Sequence, residues 1–168
     1  MKRYRAILAD PPWGGPNQRG GYGVDRHYPL MSLKEITALP VERLAADSSH
    51  IWLWTTTSDW HWQIRVMEAW GFSYRSAVTW TKPRLGMGQY LRSATEHLLF
   101  GVRGKAPIAF RSQPTWLFAA VQEHSHKPEE AYAIVERCSP GPYLELFARR
   151  KRPGWDVWGN EVESDVEL

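Results

Sequence analysis

The sequence lacks the features that mark secreted, disulfide-bonded or membrane-spanning proteins. It has one cysteine in 168 residues, Cys138, and can therefore form neither an internal disulfide nor a metal site with two cysteine ligands. Its longest apolar runs, such as Ile51–Trp54, are far shorter than a membrane-spanning helix. The apolar run Ala6–Ala9 after the basic start is too short for a signal peptide. We therefore expect a soluble, cytoplasmic protein without membrane contact.

Three kinds of catalytic or binding site also find no support. The glycine-rich stretch 14–27 lacks the glycine and lysine spacing of a phosphate-binding loop. His124 and His126 are separated by one residue but have no third ligand nearby, so we expect no metal. Cys138 falls on the apolar face of a predicted helix, where a structural thiol is expected and not a nucleophile.

The charge of the chain is mildly basic. A net charge of +3 and an isoelectric point of about 9.1 permit a polyanionic partner without requiring one. The run Arg149–Arg152 is suited to phosphate contact, although such runs are usually solvated surface. The stretch 14–27 is either a surface loop or a cover over the substrate, with Arg19 and Arg26 placed to touch phosphate. These alternatives stay open at the level of sequence.

Length and composition indicate one globular domain. The hydrophobic fraction of 43% and the charged fraction of 23% are ordinary, and no repeat or linker divides the 168 residues. We expect a single domain over residues 1–160, followed by an acidic, frayed tail over 161–168. Most of the ten tryptophans fall at strand or helix core spacings and are expected to pack inside.

Short apolar runs alternate with amphipathic segments along the chain. The predicted strands cover 4–9, 50–56, 74–80, 97–102, 116–121 and 143–148. The predicted helices cover 32–46, opened by a capping box at Ser32 and Glu35, then 59–70, and a third that starts at Pro128 and stops before Pro140. This alternation favours an α/β sandwich around a largely parallel sheet, with helices on both faces. Ligands of such sheets bind beyond the carboxyl ends of the strands, where the following residues fall: Asp10, Thr55–Thr57, Lys82 and Arg149.

The first predicted strand ends in the tetrapeptide Asp10-Pro11-Pro12-Trp13. One interpretation is a rigid turn, because Asp-Pro is a common turn opener. The other interpretation is chemical. Both prolines have a fixed φ and no N–H, so the carbonyl of Pro11 is held beside the Asp10 carboxylate and the turn offers acceptors only. A primary amine, with two donors on one atom, matches this turn, and Trp13 offers a face on which a flat ring stacks.

Adenine meets each of these requirements. Its 6-amino nitrogen is a weak nucleophile because its lone pair is delocalised into the ring. Two acceptors that draw on the amino hydrogens favour a pyramidal nitrogen and free the lone pair for attack on a methyl group held in line. The carboxylate also favours the nearby sulfonium charge of a methyl donor. The tetrapeptide therefore suggests methyl transfer to adenine.

The sequence resembles the family of N(6)-adenine methyltransferases related to the eukaryotic mRNA-adenosine methylating enzyme, with bacterial and phage members. The resemblance runs from Tyr4 to Glu161 and is carried by seven motifs in order: ADPPW, HYPLMSLKEI, IWLWTT, EHLLFGVRGK, HSHKPEEAYAIVERCSPG, LELFAR and GWDVWGNE. It implies a Rossmann-like methyltransferase fold with permuted motif order, in which the catalytic motif precedes the cofactor segments, and S-adenosylmethionine as cofactor.

The resemblance also implies roles for individual residues. The catalytic set is Asp10, Pro11, Pro12 and Trp13. The set expected to bind the cofactor is Asp10, Lys127, Phe147, Arg149, Asn160 and Glu161, with Trp155 and Trp158 as nearby aromatic side chains. The set expected to line the target pocket is Tyr28, Glu96 and Lys127.

We expect this protein to transfer a methyl group from S-adenosylmethionine to the 6-amino group of adenine in DNA. The same reaction on RNA and a non-catalytic nucleic-acid-binding subunit are the alternatives. DNA is favoured by the compactness of the chain, and the intact Asp10–Trp13 motif argues against the non-catalytic alternative. A homodimer is also considered, because a domain of this size contacts little nucleic acid by itself.

Overall fold

The computed structural model of the chain describes residues 2–14, 30–57, 60–88, 90–122 and 126–168. Four residues that the sequence singles out lie outside these ranges: Arg19, Arg26, Tyr28 and His124. The described strands are β1 (Tyr4–Ala9), β2 (Trp13–Gly14), β3 (Met31–Ser32), β4 (Ala45–Thr55), β5 (Ser73–Thr81), β6 (Thr95–Arg103), β7 (Trp116–Phe118), β8 (Tyr143–Leu146) and β9 (Trp155–Trp158). The described α-helices are α1 (Leu33–Ala38), α2 (Trp60–Ala69) and α3 (Glu129–Cys138), and Val41–Arg43 form a short 3-10 helix.

Seven of the strands form one mixed sheet in the order β7-β5-β6-β4-β1-β8-β9. β1 is parallel to β4 on one side and to β8 on the other, and the β5–β7 and β8–β9 pairs are also parallel. β6 is antiparallel to both of its neighbours, β4 and β5. The sheet and the helices on its two faces confirm the predicted Rossmann-like α/β class.

The apolar core lies on both faces of the sheet, because successive side chains of a strand point to opposite faces. In β1, Ile7 and Ala9 belong to the cluster that includes α1 and α2, whereas Ala6 and Leu8 belong to the cluster that includes α3. The last residue of β1, Ala9, pairs with Leu53 of β4 and Leu146 of β8. Because β1 is enclosed on both faces and both edges, the residue that follows it has a fixed position.

The prediction of a helix from Ser32 to Ala46 was right about its start and wrong about its length. The capping box is present: the Glu35 N–H donates to Ser32 Oγ at 3.2 Å, and the Ser32 N–H donates to Glu35 Oε2 at 2.8 Å. α1 nevertheless ends at Ala38, because Pro40 cannot continue a helix and disfavours helical backbone at the residue before it. The chain then enters β4 five residues earlier than predicted, at Ala45 instead of His50.

A buried hydrogen-bond network joins β4 to the end of α3. Ser139 Oγ lies 2.8 Å from His50 Nδ1 and accepts from Trp52 Nε1 at 2.9 Å, and His50 Nε2 lies 2.8 Å from the carbonyl oxygen of Ala106. Burial lowers the pKa of His50. A neutral imidazole that donates from Nε2 to Ala106 and accepts from the Ser139 hydroxyl at Nδ1 satisfies each of these groups.

Ser139→Ala is expected to lower the free energy of unfolding by about 2 kcal/mol, since it leaves the buried Trp52 N–H and His50 Nδ1 without a partner. Chemical denaturation measures the effect. Ser73→Ala, at an exposed position at the start of β5, is the matched control and should change stability by less than about 0.5 kcal/mol. Equal stability of the Ser139 and Ser73 variants would contradict the network.

Candidate active site

A cavity of about 660 Å³ lies beyond the carboxyl ends of β1, β4 and β8. The Asp10–Trp13 turn lines the cavity at the end of β1. Thr55 and Thr56 line it at the end of β4, and Phe147 and Arg149 line it from the segment after β8. The remaining residues that line it are Leu30, Met31, Leu39, Trp54, Glu96, Lys127, Ala148, Trp158, Gly159, Asn160 and Glu161. Every described residue of the predicted catalytic, cofactor and target-pocket sets therefore lines this cavity, except the nearby aromatic residue Trp155.

The Asp10–Trp13 turn is braced by hydrogen bonds that the sequence did not predict. The Trp13 N–H donates to the Pro11 carbonyl at 2.9 Å, and the Met31 N–H donates to the Pro12 carbonyl at the same distance. The Trp13 indole N–H donates to the carbonyl of Trp54 at 2.9 Å. The Pro11 carbonyl thus already accepts one bond, and its second lone pair is available to a ligand.

Charged side chains surround the Asp10 carboxylate. Lys127 Nζ lies 3.2 Å from Asp10 Oδ2 and 3.6 Å from Glu96 Oε1, and Lys82 Nζ lies 3.3 Å from Glu96 Oε2. Burial raises the pKa of the Asp10 carboxyl above its ordinary value; the Lys127 ammonium opposes this rise and Glu96 adds to it. The side chains of Asp10 and Lys127 are 31% and 14% exposed, so the pair is partly shielded and still open to the cavity.

The two partners of Asp10 come from distant parts of the chain. Glu96 is the second residue of β6, and it reaches this edge of the sheet because β6 runs antiparallel to its neighbours. Lys127 lies two residues before α3, and its ammonium group stands 5.3 Å from the centre of the Trp54 ring. The aromatic face and the two carboxylates together define the position of this cation.

The segment after β8 forms the other wall of the cavity. Phe147 has a φ of 63°, a left-handed backbone conformation that is uncommon for an aromatic residue, and strained residues of this kind cluster at active sites and ligand sites. Its ring meets that of Trp158 edge to face, with 5.3 Å between centroids. Arg149 Nε lies 3.9 Å from Glu161 Oε1. Two aromatic side chains and an Arg–Glu pair thus line the same cavity as the Asp10–Trp13 turn.

One sequence-based expectation near this wall is corrected, and the structure bears on one alternative that the sequence left open. Trp155, expected beside the cofactor, is 5% exposed and packs against Tyr143 and Tyr132 instead of lining the cavity, whereas Trp158 does line it. The basic run Arg149–Arg152 is paired within the chain: Arg150 and Arg152 both bind Glu129, and Lys151 binds Asp165 at 2.6 Å. This pairing neutralises most of the charge that phosphate contact would need.

Sequence reasoning missed Glu145, which lies next to the site on β8. Its Oε1 accepts from the Tyr132 hydroxyl at 2.7 Å. Burial raises the pKa of Glu145 to about 7; the Tyr132 hydrogen bond opposes the rise and the Asp10 carboxylate adds to it. The signal available in the sequence was an acidic residue between Leu144 and Leu146, which are both fully buried.

This raised pKa makes the stability of the protein pH-dependent in a defined direction. Between about pH 4.5 and 7 the unfolded chain has released the Glu145 proton while the folded chain keeps it, so Glu145 lowers stability as pH rises through this window. Glu145→Gln, which cannot ionise, is expected to be more stable than wild type by about 1–2 kcal/mol at pH 8 and equal to it at pH 4.5. Denaturation at the two pH values measures this, with Glu68→Gln on the exposed face of α2 as control. A difference that does not depend on pH would contradict the prediction.

Two further findings concern the described parts of the chain. No three histidine, cysteine or acidic side chains there stand close enough together to hold a metal ion. None of the helices described is long and apolar enough to cross a membrane.

The fold and the cavity define a methyltransferase of the Rossmann-like type, with an Asp-Pro-Pro-Trp turn at the end of the first strand of its sheet. More particularly, the chain belongs to the MT-A70 family, whose model matches residues 4–161. The recognition of this family from the motifs is thereby confirmed. The methyltransferases of this family use S-adenosylmethionine, which also confirms the predicted cofactor.

Curated relatives fall into two groups. The Type II methyltransferase M.MunI of Mycoplasma sp. is 32% identical over 190 residues, which cover 99% of this chain and 82% of that protein. A Medicago truncatula protein described as a putative N(6)-adenosine-methyltransferase MT-A70-like is 31% identical, over 100% of this chain and 28% of its own length. The Homo sapiens N(6)-adenosine-methyltransferase catalytic subunit METTL3 is 29% identical, over 97% of this chain and 29% of its own length. The chain therefore spans most of the bacterial relative and less than a third of these two eukaryotic ones.

Proposed function

We propose that this protein transfers the methyl group of S-adenosylmethionine to the exocyclic 6-amino group of adenine in DNA. The observation that carries the proposal is the pair of acceptors in the Asp10–Trp13 turn, which opens into a cavity whose other wall has the apolar and ionic groups that a methyl donor needs. A carboxylate and a carbonyl held by a rigid backbone suit one amino group with two hydrogens.

The cavity fits the proposed donor in size and in chemistry. A volume of about 660 Å³ is within the usual range for small-molecule and cofactor sites. We assign Phe147 and Trp158 to apolar contact with the donor and Arg149 to its carboxylate. We assign Asn160 and Glu161 to its ribose and adenine, where the Glu161 carboxylate can accept from a ribose hydroxyl and the Asn160 amide can donate to a ring nitrogen. When bound, S-adenosylmethionine supplies an electrophilic methyl group on a sulfonium centre.

The residues of this chain have three tasks in the proposed reaction. The Asp10 carboxylate and the Pro11 carbonyl accept the two amino hydrogens of adenine and direct its nitrogen lone pair toward the methyl carbon. The Trp13 ring lies where the base stacks. Lys127, 3.2 Å from Asp10, opposes the effect of burial on the pKa of that carboxyl and so favours its ionised form, which accepts hydrogen bonds and afterwards takes the acidic proton of the methylated amine.

DNA is the proposed substrate because M.MunI, a relative of which this chain covers 82%, is a Type II methyltransferase and represents DNA methylation among the relatives compared. An adenine in a duplex must leave the base stack to reach Asp10, at a cost of a few kcal/mol. RNA is the second candidate, since the eukaryotic relatives are named as N(6)-adenosine-methyltransferases.

Methyl-labelled S-adenosylmethionine incubated with mixed-sequence DNA and with RNA of the same sequences tests the proposal. After digestion, we expect the label in N6-methyldeoxyadenosine from DNA, and at least about tenfold less in RNA at equal concentration. Label confined to RNA would replace DNA by RNA in the proposal. Nucleic-acid binding without any label transfer would instead support a non-catalytic subunit.

We also propose that the protein forms a homodimer through the loop between β5 and β6. Four large apolar side chains of this loop are strongly exposed: Leu85 at 72%, Met87 at 75%, Tyr90 at 92% and Leu91 at 85%. Exposed apolar side chains grouped in one loop are suited to contact with a second copy of the chain. Light scattering after size-exclusion chromatography measures the mass, and Leu91→Glu should shift a dimer to a monomer; a monomeric wild type would exclude the proposal.

A further inference from the structure

The acidic segment 161–168, expected from the sequence to be frayed, is packed against the domain. Val166 and Leu168 are half-buried and pack against the same core cluster as Phe147 and Trp158 from the cavity wall. The expectation of a frayed tail was therefore wrong, because charge along the segment does not reveal two apolar side chains that pack against the core. The segment begins at the proposed donor site, since its first residue, Glu161, lines the cavity.

Asp165 binds this segment to β9, which is one of the two edge strands of the sheet. The Asp165 N–H donates to the Val157 carbonyl at 2.8 Å, and the Val157 N–H donates to Asp165 Oδ2 at 3.0 Å. The same carboxylate accepts from Lys151 Nζ through Oδ1 at 2.6 Å. The carboxylate thus binds both the exposed edge of β9 and the loop that precedes that strand.

The loop closed by this contact is residues 158–164, which contains Asn160 and Glu161. A second hydrogen bond joins the two ends of this loop, because the Gly159 N–H donates to Ser164 Oγ at 3.1 Å. On its other side the loop packs closely against Ala148, whose N–H donates to the Trp158 carbonyl at 2.9 Å. The approach is so close that only glycine fits at position 159, because a Cβ there would lie 2.1 Å from the Ala148 carbonyl oxygen. The position of Asn160 and Glu161 at the cavity is therefore set from both sides.

We propose that Asp165 is a positioning residue for the methyl donor, because it holds loop 158–164 in the conformation that presents Asn160 and Glu161 to the cavity. The inference rests on the proposed function, in which these two side chains bind the donor. Asp165 itself does not line the cavity. Its effect must therefore appear in donor binding and not in the chemical step, since a pre-ordered loop reduces the ordering cost of binding.

Three variants separate the contacts of Asp165. Asp165→Ala removes the bonds to the Val157 N–H and to Lys151, Asp165→Asn keeps an oxygen for the Val157 N–H but loses the charge, and Lys151→Met removes the ion pair alone. We expect Asp165→Ala to raise both the dissociation constant and the KM for S-adenosylmethionine by about tenfold, with kcat and the KM for nucleic acid within about twofold of wild type. The other two variants should lie between it and wild type.

Glu167→Gln removes an equivalent negative charge from an exposed position of the same segment and is the matched control. Titration calorimetry with S-adenosylmethionine measures binding directly, and thermal unfolding shows whether each variant is folded. Should Asp165→Ala fail to fold, Asp165→Asn and Lys151→Met still carry the test. Donor binding equal to wild type in the folded variants, or a loss as large in Glu167→Gln, overturns the inference and leaves the proposed function intact. A wild-type protein that does not bind the donor overturns both.

Discussion

Asp10→Asn is expected to reduce methyl transfer by about 10²–10³-fold, mainly in kcat. Asparagine has nearly the shape of aspartate but carries no charge, and one of its two terminal atoms donates instead of accepting. The adenine amino group then loses a charge-assisted hydrogen bond at the point where positive charge develops on its nitrogen. Binding of nucleic acid should change by less than about threefold, because Asp10 contacts one base and most nucleic-acid affinity comes from the phosphate backbone.

The matched control for this variant is Asp47→Asn. Asp47 lies on β4 with its side chain 95% exposed, and it pairs with Arg3 at 3.5 Å, away from the cavity. We expect wild-type activity from it, measured in the same label-transfer assay. Asp10→Asn with activity comparable to Asp47→Asn would show that the Asp10 carboxylate has no role in the reaction.

Lys127→Met is expected to reduce methyl transfer by about 10²-fold at neutral pH and to make the reaction more sensitive to acid. Without the ammonium group, Asp10 keeps the influences of burial and of Glu96, both of which raise its pKa. The proposed reaction requires the ionised carboxylate, so activity is expected to fall as pH drops through the pKa of Asp10. A further rise of this pKa therefore moves the acid side of the pH–rate profile to higher pH, and the variant should recover part of its activity as pH is raised.

A double variant tests this electrostatic explanation. Lys127→Met combined with Glu96→Gln removes one positive and one negative charge near Asp10, and it should lower the acid limit of the profile relative to Lys127→Met alone. Lys34→Met, at an exposed position of α1, is the control for loss of a lysine and should retain the wild-type profile. A pH–rate profile of Lys127→Met that is lower in height but unchanged in its acid limit would mean that Lys127 acts by position and not by charge.

The part of the site that could be predicted from the residues themselves consists of residues that are consecutive in the sequence. Asp10–Trp13 could be interpreted because a strand, two prolines and an aromatic residue follow one another directly, so backbone restriction and chemistry are visible together. The start of α1 was likewise given by its capping box. Its end was predicted wrongly because the prediction followed the apolar periodicity past Pro40. Proline cannot continue a helix, and this backbone restriction has the stronger effect.

The parts that depend on long-range pairing could not be predicted from the residues alone. Glu96 reaches the cavity because β6 runs antiparallel in a mostly parallel sheet, and strand direction has no local signature. β9 is four residues long and was not recognised, so neither the burial of Trp155 nor the docking of Asp165 on Val157 could be foreseen. The resemblance to known methyltransferases placed Lys127 and Glu161 in the site, whereas residue patterns alone pointed only to Asp10, Thr55–Thr57, Lys82 and Arg149.

A co-structure with a bisubstrate analogue, in which adenosine is joined through its N6 atom to the methionine-derived part of the donor, tests the central claim most directly. It requires no knowledge of the target sequence. We predict N6 within about 3.2 Å of both a carboxylate oxygen of Asp10 and the carbonyl oxygen of Pro11, with the adenine ring against Trp13. An analogue seated in the cavity with N6 beyond hydrogen-bond reach of both oxygens, and Asp10 still paired with Lys127 alone, would contradict the account.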